Sequence, residues 1–73
     1  MKLAWTEEHT DQRVALFSEG EYRVGDADSL GQREVTFSNK DGNHFVGIAY
    51  TTDDGIARAE NHAAWVMGLR ATS

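Results

Sequence analysis

Two runs of strand-forming residues, Arg33-Glu34-Val35-Thr36-Phe37-Ser38 and His44-Phe45-Val46-Gly47-Ile48-Ala49-Tyr50, flank Asn39-Lys40-Asp41-Gly42. This arrangement constrains the fold more than any other in the chain. Asn39 can accept a hydrogen bond from the backbone ahead of it, and Lys40 and Asp41 suit a type I turn. Gly42 supplies the positive φ of a bulge directly after that turn. A hairpin closed in this way sets Phe37 opposite Phe45, Val35 opposite Gly47 and Arg33 opposite Ala49 on one face. The other face takes Glu34, Thr36, Val46, Ile48 and Tyr50. The 44–50 run is then apolar on both sides, which predicts a central strand, whereas 33–38 is predicted nearer an edge.

The hairpin runs into Thr51-Thr52-Asp53-Asp54, a helix start. Thr51 and Asp54 have capping-box spacing, Asp53 is an equally good cap, and both acids suit the positive end of the helix dipole. A helix is predicted over about 53–69. At about 100° per residue, Ile56, Ala59, Ala63, Val66 and Met67 form one stripe, expected on the sheet. The alanines in it imply a helix lying close. Arg58, His62, Trp65 and Leu69 fall on the other side, so Trp65 and Leu69 make a candidate binding patch. The competing expectation is that Trp65 folds back against the N-terminal segment and Trp5. The predicted core is Phe37, Phe45, Ile48, Ile56 and Val66.

Before the hairpin the pattern is shorter. Lys2 to Trp5 reads as a short strand or an ordered tail, and Thr6 to Asp11 as a turn or a single helical turn. Arg13-Val14-Ala15-Leu16-Phe17 reads as a strand, Ser18-Glu19-Gly20 as a connection. In Glu21-Tyr22-Arg23-Val24 the alternation is that of a half-buried edge strand. Gly25 to Gly31 is a polar loop. The fold class expected is α+β: a small antiparallel sheet of three to four strands packed against one C-terminal helix. The chain reads as a single domain over 1–73, with a short N-terminal segment (1–12) and a C-terminal tail (70–73) expected to be flexible.

Seventy-three residues are near the size at which one core barely suffices. The chain has no cysteine and no proline, so a disulfide framework and a thiolate zinc site are excluded and stability must come from apolar burial and turn chemistry. No apolar run approaches the roughly 20 residues of a membrane span, and the first five residues do not make a signal peptide. The net charge is −5 and is concentrated early. Up to Phe37, Lys2, Arg13, Arg23 and Arg33 face Glu7, Glu8, Asp11, Glu19, Glu21, Asp26, Asp28 and Glu34. Such a domain repels phosphate, which argues against direct binding of nucleic acid and suits a basic protein partner or simple solubility.

Chemical constellations are weak. Asp26-Ala27-Asp28-Ser29-Leu30-Gly31 opens like a calcium loop, but Leu30 takes the fifth position and Phe37 the twelfth, where a glutamate is needed. His9, His44 and His62 lie in different elements without the spacing of metal ligands. No nucleophile elbow or glycine-rich phosphate loop is present. So small a chain would struggle to enclose a substrate. No enzyme activity, cofactor or metal is expected.

Taken together, the Met1-Lys2-Leu3-Ala4-Trp5 start, the acidic first half, the Asn39–Gly42 hairpin and the ending His62-Ala63-Ala64-Trp65-Val66-Met67-Gly68-Leu69 resemble a small bacteriophage regulator of host RNA polymerase. The resemblance implies a protein that binds the large subunits of the bacterial enzyme in the cytoplasm of the infected host. It implies inhibition of initiation by displacement of the sigma factor, together with antitermination. Contact residues expected on the bottom-up reading are Met1, Lys2, Leu3, Trp5, Glu7, Glu8 and Asp11, with Trp65 and Leu69 as a second patch. Trp5 and Trp65 would anchor, and the acids would supply charge complementarity. A monomer is expected. The alternatives are a generic acidic protein-interaction module, an acidic mimic of nucleic acid, and an oligomerisation module pairing through the 44–50 strand.

Overall fold

The computed structural model describes the backbone of residues 2–8 and 12–72 and the side chains of 2–7 and 12–68. Five strands form one sheet: β1 (Trp5–Glu8), β2 (Gln12–Phe17), β3 (Gly20–Val24), β4 (Arg33–Asn39) and β5 (Gly42–Ala49). Their spatial order is the chain order, and every neighbour is antiparallel. One helix, α1 (Thr52–Thr72), follows and packs across one face of β3, β4 and β5. The class is the α+β expected, with one or two strands more than the sequence pattern predicts.

The additional strand is β1. Thr6 to Glu8, expected as a turn or helical turn, instead continue from Trp5 as an extended segment against β2. The pairing sets Trp5 opposite Ala15 and Glu7 opposite Arg13. Trp5 thereby reaches the core, which local polarity alone does not disclose.

Two positional expectations are corrected. β3 is the central strand rather than an edge, and its Tyr22 and Val24 are fully buried. β5 is the edge and β4 is internal, the reverse of the assignment made from facial polarity. The reason lies in the register of the hairpin. Arg33 pairs with Ala49 and Val35 with Gly47 as expected, but Phe37 pairs with His44 because a bulge interrupts the ladder between Val35 and Thr36. The turn closes on an Asn39–Gly42 pair, with Gly42 at φ +121° and Asn39 Oδ1 accepting from Asp41 N–H at 2.9 Å. The extra residue is inserted at Val46, four positions beyond Gly42. A bulge moves every residue on its turn side to the opposite face. Phe45 is accordingly turned outward and is 64% exposed, while Val46 packs on the core. The apolar character of both faces of 44–50 thus reflects a bulged edge strand.

The core is Tyr22, Val24, Val35, Phe37, Ala49, Ala59 and Ala63, flanked by Leu3, Trp5, Phe17, Val46 and Ile56. Of the predicted core, Phe37 is buried, Ile48, Ile56 and Val66 are half-buried, and Phe45 is exposed. Thr51 caps the helix, its Oγ1 accepting from Asp54 N–H at 3.0 Å, and Asp54 pairs with Arg58 one turn on at 3.1 Å. Gly55, Ala59 and Ala63 recur every four residues and are all buried. A Cβ on Gly55 would lie 2.6 Å from Val24 Cγ1, so the first turn of the helix rests on the sheet with no room for a side chain. This rotates the buried stripe from the one predicted. His62 joins the sheet side, and Met67 lies at the margin, 39% exposed.

Candidate functional site

Beyond Ala63 the side chains of Trp65 and Val66 border a gap beside Phe37 and Asn39 of β4 and His44 of β5. The gap opens as a shallow recess of about 270 Å³ lined by Phe37, Asn39, His44, His62, Trp65 and Val66. It adjoins a wider open cleft of about 690 Å³ between the β2–β3 and β4–β5 turns, floored by Phe17 and Phe37 and bordered by Glu19 and Asp41.

Each ring in the recess has a placed neighbour. Tyr22 and Phe37, opposite each other on β3 and β4, have centroids 4.6 Å apart. His62 stands over both, at 5.6 Å from Tyr22 and 5.7 Å from Phe37. Its other side meets Trp65 at 5.6 Å, and Phe37 stacks on His44 at 6.1 Å. Trp65 is 61% exposed, held at the rim by one turn of helix below it.

The polar groups fix the histidines. Tyr22 Oη lies 2.6 Å from His62 Nδ1. Burial pushes the Tyr22 phenol up to about 12, so the hydroxyl keeps its proton. Burial also lowers the His62 pKa, and the nearby His44 lowers it further. We therefore assign a neutral His62 that accepts a hydrogen bond from the Tyr22 hydroxyl at Nδ1 and carries its own proton at Nε2. His44 Nε2–H donates to Asn39 Oδ1 at 3.2 Å.

The sequence-predicted contact residues divide into two places. Leu3 N–H donates to Glu60 Oε2 at 2.9 Å, and the Trp5 indole N–H donates to the same oxygen at 3.1 Å. Burial acts to raise the Glu60 carboxyl, but these two donors and the Lys2 charge outweigh it and hold it below its ordinary value. Trp5 is thus half-buried and tied to the fold, though the sequence placed it outside the hairpin and helix core. Glu7 is exposed and pairs with Arg13 at 3.3 Å, and Lys2 is exposed. Met1 and Asp11, and the side chains of Glu8 and Leu69, lie outside the described residues. Residues 60 and 65 are turned about 140° apart on a helix, so the N-terminal group and Trp65 occupy separate surfaces. The fold-back of Trp65 onto Trp5 does not occur.

Residues missing from the sequence-based site are Tyr22, Phe37, His44 and His62. The spacing of His62 and Trp65, three apart on one helix, was the available signal. It read as an outward patch because the stripe was centred on Ile56 and not on Gly55.

Among the described residues no group of three or more His, Cys, Asp or Glu side chains could hold a metal ion. In the 26–31 loop, Asp28 Oδ1 instead accepts from the N–H groups of Leu30 and Gln32, at 2.8 and 3.0 Å. No described helix is long and apolar enough to cross a membrane. Comparison of the chain with family models, with curated proteins and with solved structures returned no match.

Proposed function

We propose that this chain acts by occupying a surface of another protein, and that the partner is a bacterial RNA polymerase. The observation that carries the first part is Trp65, 61% exposed at the rim of an open aromatic recess on a domain with a net charge of −5. A large, rigid aromatic side chain held by its neighbours loses little conformational freedom on burial, which is why tryptophan dominates interface hot spots. The acidic charge steers the domain toward basic surfaces, and a polymerase presents many of them for nucleic acid and for its factors. A specific interface needs about 800 Å² per partner, an area that one end of this domain can supply.

The resemblance to small phage regulators names the polymerase and the mode. The chain competes with the sigma factor on the core enzyme, lowers promoter-dependent initiation and promotes read-through of terminators. The test is co-elution of the purified chain with core polymerase, followed by run-off transcription with and without sigma added first. Retention on core polymerase and relief of inhibition by excess sigma support the reading. Failure to co-elute at micromolar concentration removes the polymerase from it.

A nucleic-acid mimic is disfavoured by where the carboxylates lie. A mimic needs carboxylates spaced along a face, whereas Glu60 is engaged within the fold and Glu7 and Asp54 are neutralised at the surface by Arg13 and Arg58. Salt distinguishes the two: a mimic loses affinity steeply with ionic strength, an aromatic anchor far less.

A further inference from the structure

The recess has a wall chemistry more specific than apolar contact. His44, Phe37, His62 and Trp65, in that order, form an unbroken run of rings with successive centroids 5.6 to 6.1 Å apart. The planes are not parallel: Phe37 and His44 are inclined by 30°, Phe37 and His62 by 48°, His62 and Trp65 by 50°. Rings disposed in this way present π faces and edges around a small volume. The residues that line it include no lysine or arginine.

His62 is held in a form that adds no positive charge. His62 Nδ1 is occupied by the Tyr22 hydroxyl, and His44 Nε2–H is directed at Asn39. The volume, about 270 Å³, is that of a single side chain, below the range of typical small-molecule pockets. What such a surface attracts is a flat, weakly hydrated cation, because the ring quadrupole is negative on its face and a guanidinium can stack where an ammonium only points. The overall charge of −5 favours the same sign of ligand.

We propose that the recess between Trp65, His62, His44 and Phe37 is a cage for an arginine side chain on a basic partner protein. This rests on the reading of the chain as a protein-surface ligand and specifies what its Trp65 face recognises. The guanidinium stacks against Trp65, with Phe37 and Val66 covering the aliphatic stem and the imidazoles of His62 and His44 closing the sides. A corollary concerns pH. The titratable groups facing His62 are Tyr22 from β3 and His44 from β5, while β4 contributes only Phe37 and Asn39. Charging His62 places a cation beside the guanidinium, so arginine is expelled as pH falls below the ordinary histidine range.

The experiment is a titration of the intact chain with four short peptides that differ at one position: arginine, citrulline, lysine or leucine. The two indole N–H resonances are followed by NMR, with Trp5, fixed to Glu60, as internal reference. The arginine peptide should shift the Trp65 signal and bind about 5-fold or more tightly than its neutral citrulline counterpart, the difference a cation–π contact provides. Trp65→Phe should keep most of that preference and Trp65→Leu should lose it, with urea denaturation confirming that both remain folded. Equal binding of the citrulline or leucine peptide overturns the cage in favour of a plain apolar pocket. Absence of binding by every peptide at millimolar concentration overturns it outright. A chain that binds polymerase but ignores arginine defeats the cage alone, whereas arginine binding without polymerase binding defeats only the partner's identity.

Discussion

The Tyr22 hydroxyl sits 2.6 Å from His62 Nδ1, joining the central strand to the helix at a point where the strand residue is fully buried. In the neutral form Nδ1 accepts from the hydroxyl; charging the imidazole reverses the bond, with Nδ1–H donating to Oη, and leaves a half-buried positive charge against the core. Because the His62 pKa is lowered on folding, the unfolded chain binds more protons between the two values. Stability is therefore complete above about 6.5, the unfolded histidine value, and is lost as pH falls. The tyrosine acts at the other extreme. Its folded pKa of about 12 lies above the ordinary value of 10.0, so its contribution is intact below about 10 and is lost as pH rises toward 12. Urea midpoints measured from pH 5 to 8 should rise with pH in the parent chain. The rise should shrink in His62→Gln; an unchanged slope would refute the assignment of the neutral tautomer.

Two glycines in one helix should respond to alanine in opposite directions. Gly55→Ala gains up to about 1 kcal/mol of helix propensity but drives a methyl to 2.6 Å from Val24 Cγ1. Overpacking of that kind costs about 1–3 kcal/mol, so net destabilisation is expected. At Gly68 a new Cβ meets nothing within 4 Å, and alanine should stabilise by about 0.5–1 kcal/mol. Paired urea curves on the two variants check both signs.

The two phenylalanines of the hairpin should also separate. Phe37 is 5% exposed, and its replacement by alanine should cost about 3–5 kcal/mol. Phe45, 64% exposed on the outer face of β5, should lose less than about 1 kcal/mol on the same change. If Phe45→Ala proved as damaging as Phe37→Ala, the bulge would lie at Gly42, directly after the turn, and not at Val46.

That contrast marks what could be read from the chain and what could not. The turn at Asn39–Gly42, the Thr51 cap and the register of Arg33 and Val35 follow from local chemistry that a few adjacent residues carry. The bulge does not, because Val46 is accommodated by tertiary packing and no turn residue announces it. One misplaced residue then inverted Phe45, promoted β5 to the centre and hid β3, whose two buried residues resemble those of any half-buried strand. On the helix, Gly55 reads as a weak helix former until the sheet beneath it is known, and only then does His62 turn inward. Trp65 was legible as exposed because the apolar stripe was nearly right. Trp5 was not legible as docked, since its partner Glu60 lies 55 positions away.

Glu60 should hold the N-terminal strand by its carboxylate. One oxygen accepts from both Leu3 and Trp5, and the carboxyl pKa is lowered on folding. Its contribution is therefore present above the unfolded glutamate value, near 4.5, and is lost as pH falls below it. Glu60→Ala should leave the helix and the central hairpins intact while exposing the Trp5 indole, seen as faster exchange of its N–H. Unaltered exchange would mean that pairing of β1 with β2 alone seats Trp5.

Because Trp5 belongs to the fold and Trp65 to the rim, their substitutions should affect binding by different routes. Trp65→Ala removes a side chain that is 61% exposed, so urea stability should change by less than about 1 kcal/mol. If Trp65 anchors the partner, affinity for core polymerase should fall by about 2 kcal/mol, roughly 30-fold. Trp5→Ala should instead lower stability first, by stripping the core of a flanking ring and Glu60 of a donor. Any loss of binding there should disappear when the assay is run well below the variant's unfolding midpoint. Charge reversal at Glu7, exposed and paired only at the surface with Arg13 at 3.3 Å, should alter the association rate and its salt dependence with little effect on dissociation. Surface plasmon resonance on immobilised core polymerase, run on the three variants at two salt concentrations, separates these routes. A Trp65→Ala chain that binds as tightly as the parent would move the contact away from the recess, and the acidic N-terminal surface around Glu7 would become the site to map.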